Sequence, residues 1–413
     1  MTPRGKRKLK RLSSIVTLVA CLALSLPAQQ APSPAAKQGL PNAPARSQFP
    51  TLTPRSPEER EARYRSLHRV ILNVLVTDAS GNPVKGLTQQ DFTLLDNQQP
   101  QAIASFRTVL GGAASVATHV ILLIDALNNS SRAINYERKE TEKFLRQGQG
   151  RLPYPTSIAT LTGAGASVSQ PSQDGEFLIG ELQKRLSGTH PFDCAEDGLD
   201  RDVEYAMSVY GTDVLPKSGA GSQKTHAMDC LNQRFQISVS ALNRLARQQE
   251  NVLGRAILIW IGPGWPRLSD PEFRPDTAPI RQNFFAYLVE VSTALREAQV
   301  TLNAVSQPDL FRKAEMQSDH DNVYFNGVPT EQQVTAGSLS LQALAHQSGG
   351  RIEQDSKDIA SGIDACLADV ESYYVLAFDS AAATQPNEHH SLNVKVNQPG
   401  LTVRTNTVYY ALP

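Results

Sequence analysis

The sequence predicts an α/β protein: a doubly wound, mostly parallel sheet with a small N-terminal β-sandwich-like module. Three observations carry that expectation. Thr118–Asp125 contains an unbroken apolar run, Val120 to Ile124, that stops on an acid, as a strand buried on both faces does. Further apolar runs at Thr156–Thr162, Arg255–Gly262, Val300–Ser306 and Tyr373–Asp379 alternate with segments of helical spacing, the pattern of β-α-β crossovers. Ahead of them, Val70–Val109 holds short strands with turn signals about every 8–12 residues, as in a small sandwich.

The 413 residues carry 40 Lys plus Arg against 40 Asp plus Glu. Six of the cations (Arg4, Lys6, Arg7, Lys8, Lys10 and Arg11) fall in residues 1–28, which contain no acid, so the remainder has 34 basic against 40 acidic residues. A mildly acidic body excludes a general nucleic-acid binder, which needs a basic face for phosphates. Residues 1–28 read as a signal peptide, with a basic start, the apolar stretch Leu12–Leu26 and then Pro27-Ala28. That stretch is shorter than the roughly 20 residues of a membrane span. Cleavage after Ala28 is the first reading. Leu18-Val19-Ala20-Cys21 resembles a lipobox and gives a second, a lipid anchor at Cys21; an uncleaved anchor is a third. All three put the body in the periplasm, the cell envelope or outside the cell, and the mature chain has no expected transmembrane span. Residues 29–67, rich in Pro and Ala, read as a disordered linker.

The small β module spans 68–110, with turns at Gly81-Asn82-Pro83 and Asn97-Gln98-Gln99. Asp78, Asp91 and Asp96 sit at its turns, where turn formation is the common role. Gly111–Ala117 is a small-residue linker into an α/β domain over 118–380. Helices are expected at Ile134–Gln147, Glu176–Ser187, Leu231–Glu250, Ile280–Ala298, Leu339–Gln347 and Asp358–Val370. Ser348-Gly349-Gly350 closes the fifth as a C-cap. Residues 188–230 break the rhythm and read as an irregular insertion carrying Cys194 and Cys230. In an oxidising compartment these two pair as a disulfide in one reading and stay thiols in the other, while Cys366 reads as a small buried hydrophobe. Residues 388–413 form a C-terminal β hairpin, either an edge pair on the main sheet or part of the small module.

Five separated segments resemble a known family. They are VTDASGNPVKGLTQQDFTLLDNQQPQAIASF, ILLIDALNN, LQALAHQSGGRI, DACLADVESYYVLAFD and HHSLNVKVNQPGLTVRTNTVYYA, together covering about residues 68–411. The plan is similar to that of the von Willebrand factor type A (vWA) domain, and more specifically to the secreted VWFA-related proteins described from acidobacteria. The resemblance implies a vWA-like sheet and a metal-ion-dependent adhesion site built on Asp-x-Ser-x-Ser, a Thr and a further Asp. Asp125 matches the first ligand, Leu127 replaces the first Ser, and Asn129 stands at the second, offering an amide oxygen. No acid follows the strand ending at Ile261, and Thr162 and Thr189 are the candidates for the Thr. The expectation is a degenerate site in which Asp125 and Asn129 are the only metal ligands, with no cofactor beyond at most a weakly held Mg²⁺.

No catalytic residue is assigned. The sequence has no GxSxG elbow, no HExxH and no CxxC, and Asp319-His320-Asp321 reads as a solvated loop. The leading reading is a secreted or periplasmic, non-enzymatic protein-binding module, an adhesion or scaffold protein whose partner is a protein or cell-envelope component. Its expected partner-binding edge is Asn128, Ser130, Gly262, Gly264 and Trp265, beyond the carboxyl ends of the strands where open α/β sheets bind ligands. Two alternatives stand beside it: a hydrolase using His190, Asp193 and His226 of the insertion, and a self-associating envelope scaffold.

Overall fold

A computed structural model of the chain describes residues 68–110, 118–189, 192, 220–250, 254–265, 278–306, 325–353 and 358–411. Four strands come first: β1 (Arg69–Thr77), β2 (Phe92–Asp96), β3 (Gln99–Gln101) and β4 (Ser105–Leu110). The body begins with β5 (Thr118–Asp125), helix α1 (Ser131–Leu145), β6 (Arg151–Thr162), β7 (Gly165–Val168), β8 (Ser172–Asp174) and α2 (Gly175–Leu186). It continues through α3 (Ala220–Gln249), β9 (Arg255–Ile261), α4 (Ala278–Glu297), β10 (Val300–Val305), α5 (Leu341–Gln347), β11 (Ile352–Glu353) and α6 (Ile359–Ala368). The last described strands are β12 (Ser372–Asp379), β13 (Glu388–Val396), β14 (Thr402–Arg404) and β15 (Val408–Ala411).

The body is a mixed sheet ordered β11-β10-β9-β5-β6-β7, with β8 also on β6. Strands β5, β6, β9, β10 and β11 run parallel, and the short β7 and β8 run antiparallel to β6. Along β5 the side chains alternate between two cores. Val120, Leu122 and Ile124 pack with residues of α1, α2 and α6, while Ile121 and Leu123 pack with residues of α3, α4 and α5. Helices on both faces leave no solvent side for a polar residue, which is why the run is unbroken. Each such side chain contributes about 1.5–3 kcal/mol by leaving water.

Two elements begin earlier than their sequence suggests. Strand β6 starts at Arg151 and runs over Pro153 and Pro155, where it pairs irregularly with β8; its regular pairing with β5 starts only at Thr156. Prolines are tolerated there because no central ladder needs their N–H. Helix α3 starts at Ala220, so residues 220–230, read as irregular insertion, are helical. Residues 190, 191 and 193–219, with His190, Asp193 and Cys194, lie outside the described residues. Cys230 is disulfide-bonded to a partner that also lies outside them.

The larger correction concerns the small β module, which is half of a structure. Its two sheets are ordered β14-β1-β12-β4 and β15-β13-β2-β3, so each combines strands from both ends of the described chain, alternating in the first and side by side in the second. β1 and β4 each pair with β12 rather than with each other. The run Tyr373–Asp379, expected at the end of the α/β sheet, is therefore a central sandwich strand, and the 118–380 domain ends before it. Tyr374, Leu376 and Phe378 enter the sandwich core with Val70, Leu72, Val74, Phe92 and Val394, whereas Tyr373 turns the other way under Arg255. Buried on both faces, β12 has the composition of a parallel-sheet strand, and composition alone does not separate the two sheets. The C-terminal hairpin joins the sandwich too, with β13 pairing β2 and β15 pairing β13.

The sandwich meets the body at the amino-terminal ends of the parallel strands. Gln299, just before β10, accepts from Asn73 Nδ2 at 3.1 Å and donates to the Ile71 carbonyl at 3.4 Å. Arg255, the first residue of β9, lies 4.5 Å over the Tyr373 ring. Asp125 ends β5 at the opposite side of the sheet, and the sandwich strand β15 also packs along α4, where Tyr410 meets Phe285 edge-on at 5.8 Å. No helix among the described residues is long and apolar enough to cross a membrane.

Candidate functional site

Asp125 closes β5 wholly buried, and its carboxylate is held by the chain itself. Oδ1 accepts the Asn128 backbone N–H at 3.0 Å and the Asn128 side-chain amide at 3.1 Å. Oδ2 accepts the same amide at 3.0 Å and the Trp260 indole N–H, also at 3.0 Å. Asn128 is fixed in turn by helix α3: its amide donates to Ser238 Oγ at 3.0 Å, and its Oδ1 accepts from Arg234 Nε at 3.2 Å. Arg234 and Ser238 are both buried. Burial raises the Asp125 pKa; the bonds from Asn128 and Trp260 and the charge of Arg234 oppose that rise.

A second acid stands beside the first. Glu137 on α1 is 3% exposed, and its Oε1 accepts Asn129 Nδ2 at 2.6 Å. Its Oε2 is buried with no partner among the described residues. Burial first, then the neighbouring Asp125 charge, raise the Glu137 pKa well above that of an ordinary glutamate, and the Asn129 bond only partly offsets them.

These residues do not fit a divalent cation. A hard ion needs about six oxygen ligands, whereas here N–H donors meet both Asp125 oxygens. Leu127 is a core side chain, and Asn129 turns its amide nitrogen to Glu137. Neither threonine is bonded to Asp125: Thr162 Oγ1 shapes the β6–β7 turn with Gly165 and Ala164, and Thr189 Oγ1 bonds the Arg185 carbonyl after α2. Among the described residues no three His, Cys, Asp or Glu gather as metal ligands.

The residues expected to contact a partner form the floor of this edge. Ser130 caps α1, accepting the Ala133 N–H at 3.3 Å. Asn128 is spent on Asp125. Gly262 has φ +138°, and a Cβ there would stand 2.8 Å from Asp125 Cβ, so the close approach itself requires glycine. Gly264, at φ +73°, lies as close to Leu341. Trp265 is buried, donating to the Leu339 carbonyl at 2.6 Å and meeting Trp260 edge-on at 5.4 Å. The side chains open to solvent at this edge are instead Ser131 and Arg132, in the first turn of α1, and Ala164, in the turn after β6.

Arg234, Ser238, Glu137 and the polar role of Trp260 are not singled out by the sequence reading. A signal was present for three of them. Arg234 and Ser238 stand four apart on the buried stripe of α3 that carries Phe235, Val239 and Leu242, and Glu137 follows Ile134 by three on the buried stripe of α1. Polar residues inside an apolar helical stripe need partners. In the sandwich, Asp96, read as a turn former, instead accepts from Tyr409 Oη at 2.7 Å and pairs with His390 Nδ1 at 2.8 Å. Asp78 does organise its turn, accepting from the Ser80 and Asn82 N–H groups. His226 lies on α3 in a part whose side chains are outside the description, as are Asp319, His320 and Asp321 altogether.

No family model matches the chain, and no curated protein matches it. Among solved structures, the chain is similar to the human COPII-coat protein Sec24c at 9% identity and a TM-score of 0.26, over 76% of this chain. The matched part spans 48% of that protein's chain, about half its length. The described chain is an α/β body with a partly parallel sheet beside small antiparallel sheets.

Proposed function

We propose that the protein is an exported, non-enzymatic binding module of the vWA type. Its sheet edge docks a protein or cell-envelope partner without an ion. The observation that supports this most is the saturation of Asp125 by Asn128 and Trp260, with Arg234 supplying the positive charge behind them. An edge whose acid is already neutralised presents a fixed shape and has no open coordination position to offer a carboxylate. Partner contacts then fall to the outward groups of this edge, Ser131 and Arg132 in the first turn of α1 and Ala164 in the turn after β6. Export rests on the basic-then-apolar character of residues 1–28.

Calorimetric titration of Mg²⁺, Mn²⁺ and Ca²⁺ into the protein, beside an Asp125→Ala variant, tests the ion-free edge. The expected result is no saturable heat in either protein. Saturable heat in the wild type that disappears in the variant overturns the reading. The docking face is tested with an Arg132→Glu, Ala164→Arg double variant immobilised beside the wild type in envelope extract. A partner retained equally by both places docking elsewhere.

A further inference from the structure

At the amino-terminal end of the sheet, where body and sandwich meet, three arginines gather around too little negative charge. Arg351 Nε and Nη2 hold the two oxygens of Asp369 at 2.8 and 2.7 Å, and Arg351 Nη1 reaches Glu353 at 3.3 Å. Arg404 Nη2 bonds the same Asp369 at 2.8 Å. Arg255 gives Nε and Nη2 to the uncharged Thr301 Oγ1, at 3.4 and 3.1 Å, and lies over the Tyr373 ring.

Sheet register puts these groups on one face. Val74 pairs with Tyr374, so Tyr373 shares a face with Leu75, and Leu75 pairs with Arg404. Arg255 also lies near enough to Asp369 and Arg404 for both charges to act on it, while its burial lowers its pKa. Two guanidinium nitrogens are left over: Arg255 Nη1 and Arg404 Nη1 are buried with no hydrogen-bond partner among the described residues. Arg255 as a whole is 7% exposed.

We propose that this junction binds one small tetrahedral oxyanion, inorganic phosphate or sulfate, on the free N–H groups of Arg255 and Arg404. The choice between an anion and a water follows from charge. Three guanidinium groups bond only two carboxylates here, the third nearby acid, Glu371, being exposed to solvent; a water would accept the N–H bonds but leave the excess cation in a poorly solvated place. An oxyanion does both, and the planar fork of a guanidinium matches its oxygens. The neighbouring side chains permit entry, since Arg351 and Arg404 are each 24% exposed. The site lies away from the Asp125 edge, so it stands or falls independently of the function proposed above.

The test is calorimetric titration of potassium phosphate, then potassium sulfate, into the full chain at ionic strength held constant with chloride. Saturable binding of one equivalent is expected, weakened at least tenfold in Arg404→Gln and unchanged in Arg69→Gln, whose exposed arginine pairs with Asp379 elsewhere. Asp369 keeps both Arg351 bonds in Arg404→Gln, and a thermal melt checks that the variant is folded. If it is not, Arg404→Lys retains the charge but loses the second nitrogen, and the same tenfold weakening is expected there. Absence of saturable heat in the wild type means waters only and overturns the proposal. Equal affinity in the folded Arg404 variant also overturns it.

Discussion

The two ends of the parallel sheet solve opposite electrostatic problems. At the carboxyl end two acids, Asp125 and Glu137, are buried with one arginine in the network, Arg234. At the amino end Arg351 and Arg404 hold Asp369, with Arg255 nearby and Glu353 at the margin. The first end is held chiefly by dipoles: an indole N–H, a backbone N–H and an amide on one carboxylate. The second is held by direct ion pairs. Dipoles neutralise a buried charge without adding another, so the acidic end is self-contained, whereas the arginine end carries an excess that outside chemistry can meet. A strand terminus rich in charge is therefore no guide to ligand binding until its donors and acceptors are matched one by one.

The largest expected effect comes from breaking the arginine end. Asp369→Ala removes the buried carboxylate that the half-buried Arg351 and Arg404 share, with its three charge-assisted hydrogen bonds, and is expected to cost about 3–5 kcal/mol in urea unfolding. A cost below about 1 kcal/mol would mean that solvent already serves these arginines. At the acidic end a smaller loss is expected. Trp260→Phe keeps the ring in the core but removes the donor to Asp125 Oδ2, which still has Asn128. The expected cost is about 1–3 kcal/mol, read from the same unfolding curves. If Trp260→Phe proves as costly as Asp369→Ala, the contrast between dipole and ion-pair ends fails.

The subtlest test concerns pH. Glu137 binds its proton more tightly folded than unfolded, where 4.5 is the reference value. Its contribution to stability is therefore fully present below pH 4.5 and is lost as pH rises through the raised folded value. Glu137→Gln is expected to remove that part of the pH dependence and to be the more stable protein at pH 8. Urea midpoints of both proteins across pH 4–8 check this, and parallel curves would show that Glu137 is ionised in the fold.

The sheet was legible because its physics is local. Val120–Ile124 and Ala256–Ile261 are apolar without interruption since helices cover both faces, and the acid after Ile124 marks where the strand ends, still inside the core. The sandwich was legible only in part. Tyr373–Phe378 meets the same two-sided burial in a different sheet, and the pairing of β12 with β1 lies some three hundred residues away in sequence, beyond any local pattern. Around Asp125 the sequence marked the acid and the two asparagines. It also showed Leu127 where a hydroxyl was needed. Arg234, Ser238 and Trp260 come from a helix and a strand distant in sequence, and only tertiary packing brings them to one carboxylate.

The interleaving of the sandwich sets a schedule for the polypeptide as it is made. β1 cannot begin its hydrogen-bond ladder with β12 until that strand has left the ribosome, about 300 residues later, and its ladder with β14 comes later still. At about 5–20 residues per second, that wait is roughly 15–60 s. Throughout it the apolar side of β1, with Val70, Leu72 and Val74, has no partner strand and stays open to other chains. The α/β body, whose strands pair among themselves, can close in the meantime. The sandwich is then closed from the C-terminal side, β12 entering between β1 and β4 like a clasp while β14 covers the other edge of β1 and β13 and β15 extend the sheet of β2.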